Sequence, residues 1–577
     1  MRHLAAAPAL LAAVVAAAVA AALVAVRSGP PGPPRVRLAV LVVFDQLRGD
    51  FVDRWRPLFG RDGFARVQSQ GAWFTRCHYP YARTTTGPGH ASVLSGTCPD
   101  RHGIIDNAWY EGGATVYCAG SPRYEFVPAL PHLAARKGDV GNPDRMLAET
   151  VADALKAQRP GAKVFGLSLK DRSAILPTGK RPDGAFWFDR RFVTSTYYAD
   201  RLPEWAERFN ASGAIDAWFG KDWTRSRADV DYPTWSGADA GPGEGSGVQV
   251  RDGKDKDKVW RQGVGFPHPN TGGRDKPGKE YYEALANSPF GNDLLLQFAK
   301  ECVAAEGLGA DDVPDLLVVS FSSNDLIGHT WGPDSQEVLD VTLRSDEVVA
   351  ELLRFLDAKV GAGNYLVGIT ADHGACPLPE ASRARGLDAR RVDPGSLVAA
   401  ADRHLTATFG PPAAAGDKKP GWFAATPVPW LYFDAKTLAA AGTTREAAAA
   451  TVAGFLATHP SVARAYTRAE LESRAPAADP LLALVKRSAY PGRSGDVFVL
   501  MREWDLPSGA SGTGTTHGSP YDYDRHVPLM VFGPGVGGGA LTEPTTPQAM
   551  AAIFSKWLGV RPPRKADFPL PAALRDR

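Results

Sequence analysis

The chain has 577 residues, 44% of them hydrophobic and 22% charged, with a formal net charge of +2. This is ordinary for a globular protein with room for one large domain carrying insertions, or for two domains. The near-neutral balance offers nucleic acid no electrostatic footprint, so no nucleic-acid partner is expected.

The first 34 residues stand apart. A short basic start precedes an uncharged apolar stretch at 4–26, and the Pro-rich 30–34 follows. This reads as a secretory signal or as an uncleaved N-terminal anchor, because about twenty apolar residues can span a bilayer. Pro8 interrupts the stretch, no small-x-small cleavage site directly precedes Arg27, and no cysteine offers itself for lipid attachment. The implied location is periplasmic or secreted, with a membrane tether through 4–26 left open.

From residue 35 on, apolar strand-like runs alternate with helical patterns. Leu38–Phe44 reads as a strand, 89–95 as the opening of a helix, 146–158 as a helix and 164–169 as a strand. Residues 292–305 read as a helix, 316–321 as a strand, 335–360 as a long helix with charges on one face, and Tyr365–Thr370 as a strand. Such alternation predicts a layered α/β/α fold with a mainly parallel central sheet. Two stretches break the pattern. Residues 176–282 are rich in Trp, Tyr, Gly and Asp with little periodicity, and 376–493 carry Ala-rich helical segments. Both read as cap segments inserted over the strand ends of a single catalytic domain spanning 35–577.

The residues able to carry chemistry fall at the ends of those strands. Asp45 follows the first, Asp325 and His329 follow 316–321, Asp372 and His373 follow Tyr365–Thr370, and His517 sits in a Gly/Thr-rich loop at 512–518. In a parallel sheet such ends meet along one edge, where ligands bind. One acid ending a strand is usually a turn or a cap; three strands ending so, two with a histidine attached, are not. Six such ligands suffice for two zinc-type ions at about four ligands each.

A hydroxyl just before a helix start, as at Thr84, Thr85 and Thr86 ahead of Gly87-Pro88-Gly89, suits a nucleophile attacking an anionic group. Read alone, three threonines are more often ordinary N-caps, and a free threonine hydroxyl needs metal coordination to react. Lys170-Asp171-Arg172, read alone, is a solvated turn; its place beside the other strand ends argues otherwise. Asp50 and Asp53 read as capping or solvated residues of the next helix. His78, His90, His102, His132, His268, His404, His459 and His526 take the bland structural reading, with His90 making a structural hydrogen bond behind the threonine run. The odd count of five cysteines leaves at least one thiol unpaired or paired elsewhere. Cys77, Cys98 and Cys118 are near enough in sequence to form one bridge, and no Cys-x-x-Cys supports a thiolate zinc site.

Six longer stretches carry a resemblance. They are VVFDQ at 42–46, TGPGHASVLSGTCPDRHGIIDNAWY at 86–110, SLKDRSAILPTG at 168–179, SSNDLIGH at 322–329, TADHG at 370–374 and THGSPYDYDRHVPL at 516–529. In these the chain resembles the alkaline phosphatase superfamily, and within it the bacterial single-chain phosphate monoesterases that use a threonine nucleophile. The resemblance implies Thr86 as nucleophile. It implies one zinc ion held by Asp45, Asp372, His373 and the Thr86 oxygen, and a second held by Asp325, His329 and His517. Asn107, Lys170 and Arg172 would contact the phosphoryl group. The implied reaction is metal-dependent hydrolysis of phosphate monoesters through a phosphothreonine. Three alternatives stand beside it. A phosphodiesterase or nucleotide pyrophosphatase of the same superfamily would not need Lys170 and Arg172. A sulfatase would carry x-Pro-x-Arg after its nucleophile, where this chain has Gly87-Pro88-Gly89-His90. A non-catalytic, membrane-anchored binding protein would need neither Thr86 nor the two cations.

Overall fold

The computed structural model describes residues 35–136, 138–251, 259–412, 421–508 and 512–576. The expected segment 1–34 lies outside the described residues. Among the described residues, no helix is long and apolar enough to cross a membrane.

Five parallel strands form the heart of a ten-stranded sheet. In spatial order they are Tyr365–Thr370, Leu38–Phe44, Asp315–Phe321, Val164–Ser168 and Gly184–Phe188. Every residue of the first four is buried. Alternate residues point to opposite faces, so full burial means that both faces are covered; this is why these strands read as nearly unbroken apolar runs. The register brings the carboxyl ends level. Phe44 pairs with Phe321, Val43 with Thr370, and Ser320 with Ser168. The rings of Phe44 and Phe321 stack with centroids 5.0 Å apart, just beneath that edge. Antiparallel strands extend the sheet on both sides, Leu529–Phe532 beside Tyr365–Thr370 and Phe192–Ser195 beside Gly184–Phe188.

Most predicted elements stand, with shifted ends. The helix expected over 146–158 begins only at Val151. Thr150 and Asp153 close a reciprocal capping box there, which fixes the start of the helix. The long helix runs Gln336–Leu356, capped by the Ser335 side chain, and 357–361 continue as a wider turn.

The segment 176–282 is not wholly a cap, as expected from its composition. Its first part supplies Gly184–Phe188 and Phe192–Ser195 to the central sheet. Both are short, and the pair is joined by the charged turn Asp189-Arg190-Arg191, with Arg190 at a left-handed φ of 63°. The segment 376–493 builds a small unit of its own around an antiparallel sheet of Phe423–Ala425, Trp430–Phe433, Val497–Met501 and Val462–Thr467, so the inserted unit reaches past residue 493. Its two central strands, Trp430–Phe433 and Val497–Met501, are buried on both faces, and the period of two shows how. Leu431, Phe433, Val497 and Val499 face the unit's own helices, which contribute Leu405, Val452 and Leu456. Trp430, Tyr432, Phe498 and Leu500 face the main body, beside Ile104, Trp109 and Ile175.

The cysteine expectation is corrected. Cys77, Cys98, Cys118, Cys302 and Cys376 are all buried free thiols. They sit in separate parts of the interior: Cys77 and Cys98 in the main core, Cys118 in the cluster shared with the inserted unit, and Cys376 beside Leu506 and Tyr523. Thiol titration without reductant should therefore find about five reactive groups per chain after unfolding and none reacting quickly in the native protein, because reaction needs an exposed thiolate.

Candidate active site

The threonine run at 84–86 leads into a helix that starts at Thr86 and runs to Ser95. Thr85 takes the N-cap position with extended backbone, yet makes no capping hydrogen bond. Its hydroxyl donates instead to Asp106 Oδ1 at 3.2 Å. The Thr86 hydroxyl lies in the first helical turn and is buried. It stands 3.4 Å from His373 Nε2, and Arg172 Nη2 points at it from 3.5 Å. The close approach of this helix to the sheet edge depends on Gly89, where a Cβ would collide with the Asp372 backbone carbonyl. Asn107 Oδ1 accepts from the Gly87 N–H at 2.7 Å, which fixes the amide so that its NH₂ is the end left to donate.

The predicted ligands meet at the level carboxyl ends. Asp45, Asp372 and His373 offer atoms all within 4.8 Å of one another, and so do Asp325, His373 and His517. His329 falls outside the second triple but has its Nε2 3.2 Å from Asp325 Oδ1. His373 stands between the triples: its Nε2 is 3.4 Å from Asp45 Oδ1 and 3.3 Å from Asp372 Oδ2, and its ring stacks on His517 with centroids 3.4 Å apart.

The three histidines share one arrangement. His329 Nδ1 lies 2.7 Å from the Thr515 carbonyl, His373 Nδ1 2.9 Å from the Gly374 carbonyl, and His517 Nδ1 2.9 Å from the Thr84 carbonyl. A carbonyl only accepts, so each Nδ1 carries a hydrogen and each ring turns its Nε2 to the site. This is the support that histidine metal ligands have. The carboxylates agree. Asp45 Oδ1 and Asp372 Oδ2 are buried without a hydrogen-bond partner; His90 Nδ1 approaches Asp372 Oδ2 to 3.2 Å but lies closer, at 2.9 Å, to the Thr86 carbonyl. Burial, aided by the charges of Asp325 and Asp372, pushes the Asp45 carboxyl well above its ordinary range. Burial would raise Asp325 too, but His329 and Lys170 beside it hold it well below that range. Burial and the neighbouring His373 and His329 drive His517 well below the usual imidazole value, keeping it neutral. Unpartnered carboxylate oxygens and imidazole Nε2 atoms aimed at one place suit divalent cations of zinc type.

Lys170 Nζ lies between the two groups, 2.7 Å from Asp45 Oδ2 and in contact with Asp325 Oδ2. Arg172 is braced by Tyr117, whose hydroxyl accepts from Arg172 Nη1 at 3.2 Å and donates to Asp171. Tyr117 lies on the hairpin Ala108–Glu111 and Ala114–Tyr117, immediately after Asn107, so one hairpin sets both Asn107 and the brace of Arg172.

Several contributors escaped the sequence reading. Asp106 holds Arg83, Thr85 and the Asn107 backbone. Asp524 Oδ2 accepts from the Gly518 and Ser519 N–H groups and from the Ser519 hydroxyl, shaping the loop of His517. Gln46 joins two ligand carboxylates. His90, read as structural, does bond to the Thr86 carbonyl and Ser320, yet it also borders Asp372. Asp50 pairs with Arg48 and makes no capping bond.

The family model described as type I phosphodiesterase / nucleotide pyrophosphatase matches residues 39–518. The chain is 33% identical to alkaline phosphatase PafA of Elizabethkingia meningoseptica over 550 residues, covering 92% of this chain and 93% of that protein. It is 30% identical to alkaline phosphatase PhoV of Synechococcus elongatus, covering 92% of each. The crystal structure of wild-type PafA superposes with a TM-score of 0.82 at 32% identity, covering 94% of this chain and 99% of that one. A second PafA structure, with one threonine, one asparagine, one lysine and one arginine replaced together, gives 0.81 at 31% identity over 93% and 98%.

Two glycines offer an internal contrast. Gly454, exposed in the Arg445–Leu456 helix, has nothing within 4 Å of an added Cβ, so Gly454→Ala should stabilise by about 0.5–1 kcal/mol. Gly89→Ala also gains helix propensity but must push the nucleophile helix off Asp372. Denaturant titration should show it destabilised by about 1–3 kcal/mol. Equal gains in both variants would show that the close approach is not needed.

Proposed function

The chain belongs to the type I phosphodiesterase / nucleotide pyrophosphatase family, and from that premise we propose that it hydrolyses phosphate monoesters through Thr86, with two zinc ions as cofactors. Its kinship with alkaline phosphatases makes it a hydrolase. The observation that carries the finer reading is the convergence of the buried Thr86 hydroxyl, the Arg172 guanidinium and two sets of ligand side chains at one sheet edge.

Asp45, Asp372, His373 and the Thr86 oxygen would hold one ion; Asp325, His329 and His517 would hold the other. Bound there, such ions lower the pKa of a coordinated hydroxyl or water and offset charge on the attacking and leaving oxygens. The rest follows from the side chains. Thr86 gives up its proton to solvent water and its Oγ1 bonds to phosphorus as the bond to the leaving oxygen breaks, that oxygen taking up a proton from water to leave as the alcohol. Water then attacks the phosphothreonine, the Oγ1–P bond breaks, and inorganic phosphate leaves. Phosphoryl transfer asks mainly for positioning and charge stabilisation. Arg172 offers a planar fork beside Oγ1, Lys170 a point charge between the ligand groups, and Asn107 an amide donor. The basic-then-apolar start of the chain supports export, to the periplasm or beyond the cell.

The cations support monoesters over diesters. A monoester dianion has three non-bridging oxygens, a diester two and one charge fewer. Each charge-assisted contact is worth about 1.5–3 kcal/mol. Lys170→Ala with Arg172→Ala should then cost about 10²–10⁴-fold in monoester kcat/KM, at about 1.4 kcal/mol per tenfold, and much less for the diester. The kinetics of an aryl monoester and its methyl diester with both proteins decide the matter. A wild-type preference for the diester, or an equal fall for both, would establish the phosphodiesterase reading instead.

Thr86→Ala should abolish monoester turnover while leaving the fold intact, and Thr86→Ser should keep substantial activity. Phosphate trapped on Thr85 would show the register to be wrong. Elemental analysis of active protein should give two ions per chain, and a chelator should remove activity.

A further inference from the structure

Gln46 follows Asp45 directly and is buried, at 5% exposure. Its backbone sits at φ 69°, a region that side chains other than glycine seldom adopt and that persists only where surroundings over-determine it. What they determine is visible. The Gln46 main-chain N–H donates to Asp372 Oδ1 at 3.1 Å, and its side-chain Nε2 donates to Asp325 Oδ1 at 2.7 Å. Asp372 and Asp45 belong to one ligand group and Asp325 to the other, so this one residue is tied to both. Space for its amide is kept by Gly328, on the helix between Asp325 and His329. A Cβ there would collide with Gln46 Oε1.

We propose that Gln46 is a positioning residue that yokes the two cation-binding groups, its side-chain amide setting Asp325 and its main-chain N–H setting Asp372. The left-handed turn makes this division possible. It swings the amide across the sheet edge towards the helix after Asp315–Phe321, while the main-chain N–H stays directed at the neighbouring strand end. A carboxylate oxygen has two lone-pair directions, so Asp325 Oδ1 can accept from Gln46 and still face His329 Nε2, 3.2 Å away, and His517 Nε2, 3.6 Å away. The two bonds differ in what mutation can remove. Any replacement except proline keeps a main-chain N–H for Asp372, whereas loss of the amide frees Asp325 alone. The inference rests on the two-ion reading given above.

Its test is a competition between the zinc-loaded protein and a chromogenic zinc chelator, following the equivalents released. The probes are wild type, Gln46→Gly, Gly328→Ala and the double variant. Glycine accepts the φ of residue 46, so Gln46→Gly keeps the turn and removes only the amide; near-UV circular dichroism checks its fold. Its two zinc equivalents should separate. One should be released with an affinity lowered about 10–100-fold, the usual effect of losing a group that supports a metal ligand, and the other should be unchanged. Gly328→Ala alters neither Gln46 nor a ligand, and it favours helix, yet it should reproduce the same loss by displacing the amide. The double variant should be no worse than either single one. Fewer than two equivalents in the wild type would overturn the two-ion reading, and this inference with it. Two equivalents in the wild type that shift together in Gln46→Gly, or do not shift, would overturn the yoke alone. So would additive losses in the double variant.

Discussion

Three aspartates closed off from water, Asp45, Asp325 and Asp372, stand together at one sheet edge, and much of the site follows from the problem they pose. Buried carboxylates at short range cannot all stay charged without cations. The chain itself brings Lys170 Nζ into contact with two of them. It does not bring enough to satisfy Asp45 Oδ1 and Asp372 Oδ2, and it keeps His517 neutral. A purely structural cluster would have been neutralised by further side-chain donors. Here the donors point elsewhere, Arg172 towards Thr86 and Tyr117 and the His517 Nδ1 towards a main-chain carbonyl. The cations proposed above would supply the charge that these oxygens lack.

The orientation of the site comes from main-chain groups remote from one another in sequence. The Thr84 carbonyl sets His517, and the Thr84 hydroxyl donates to the Ser519 carbonyl, so the threonine segment and the histidine loop are laced together from both sides. The Thr515 carbonyl likewise ties that loop to His329. The inserted unit enters the same lattice. Its Pro480–Ser488 helix ends on Ser488, whose hydroxyl oxygen accepts from the Ala82 and Arg83 N–H groups just upstream of the threonines. A cap that appears in the sequence as an addition thus helps hold the threonine run in place.

The strands that carry ligands were legible in the sequence because burial on both faces leaves a run of apolar residues ending in one or two polar ones. Asp45, Asp372 and His373 show this most clearly. What stayed hidden depends on tertiary pairing. Gly184–Phe188 is as long as Val164–Ser168 but lies in a stretch rich in Trp, Tyr, Gly and Asp with little periodicity, and its pairing with Val164–Ser168 decides its role. The helix predicted from residue 146 begins at Val151, where the Thr150–Asp153 capping box sets its start. The cysteines misled for the opposite reason: nearness in sequence says nothing about facing side chains. Asp106, Asp524 and Gln46 went unseen because nothing in the sequence marks which groups they hold: Asp106 takes Arg83 and Thr85, Asp524 the Gly518–Ser519 turn, and Gln46 two carboxylates remote in sequence.

The three threonines show how neighbours of identical chemistry are told apart. Thr84 spends its hydroxyl on Ser519 and its carbonyl on His517. Thr85, placed where a cap would be, spends its hydroxyl on Asp106. Asp106 is itself held by Arg83, so this hydroxyl is committed and its oxygen faces a carboxylate, a poor setting for an anion to develop. Only Thr86 keeps a hydroxyl whose near neighbours are an imidazole and a guanidinium. The helix pays for this with an N-cap that makes no side-chain bond, a loss of about 1 kcal/mol by the usual worth of such caps. Negative charge forming on that oxygen would meet Arg172 and the positive end of a ten-residue helix together, so the same local choice that weakens the cap builds the electrostatics that a nucleophile requires.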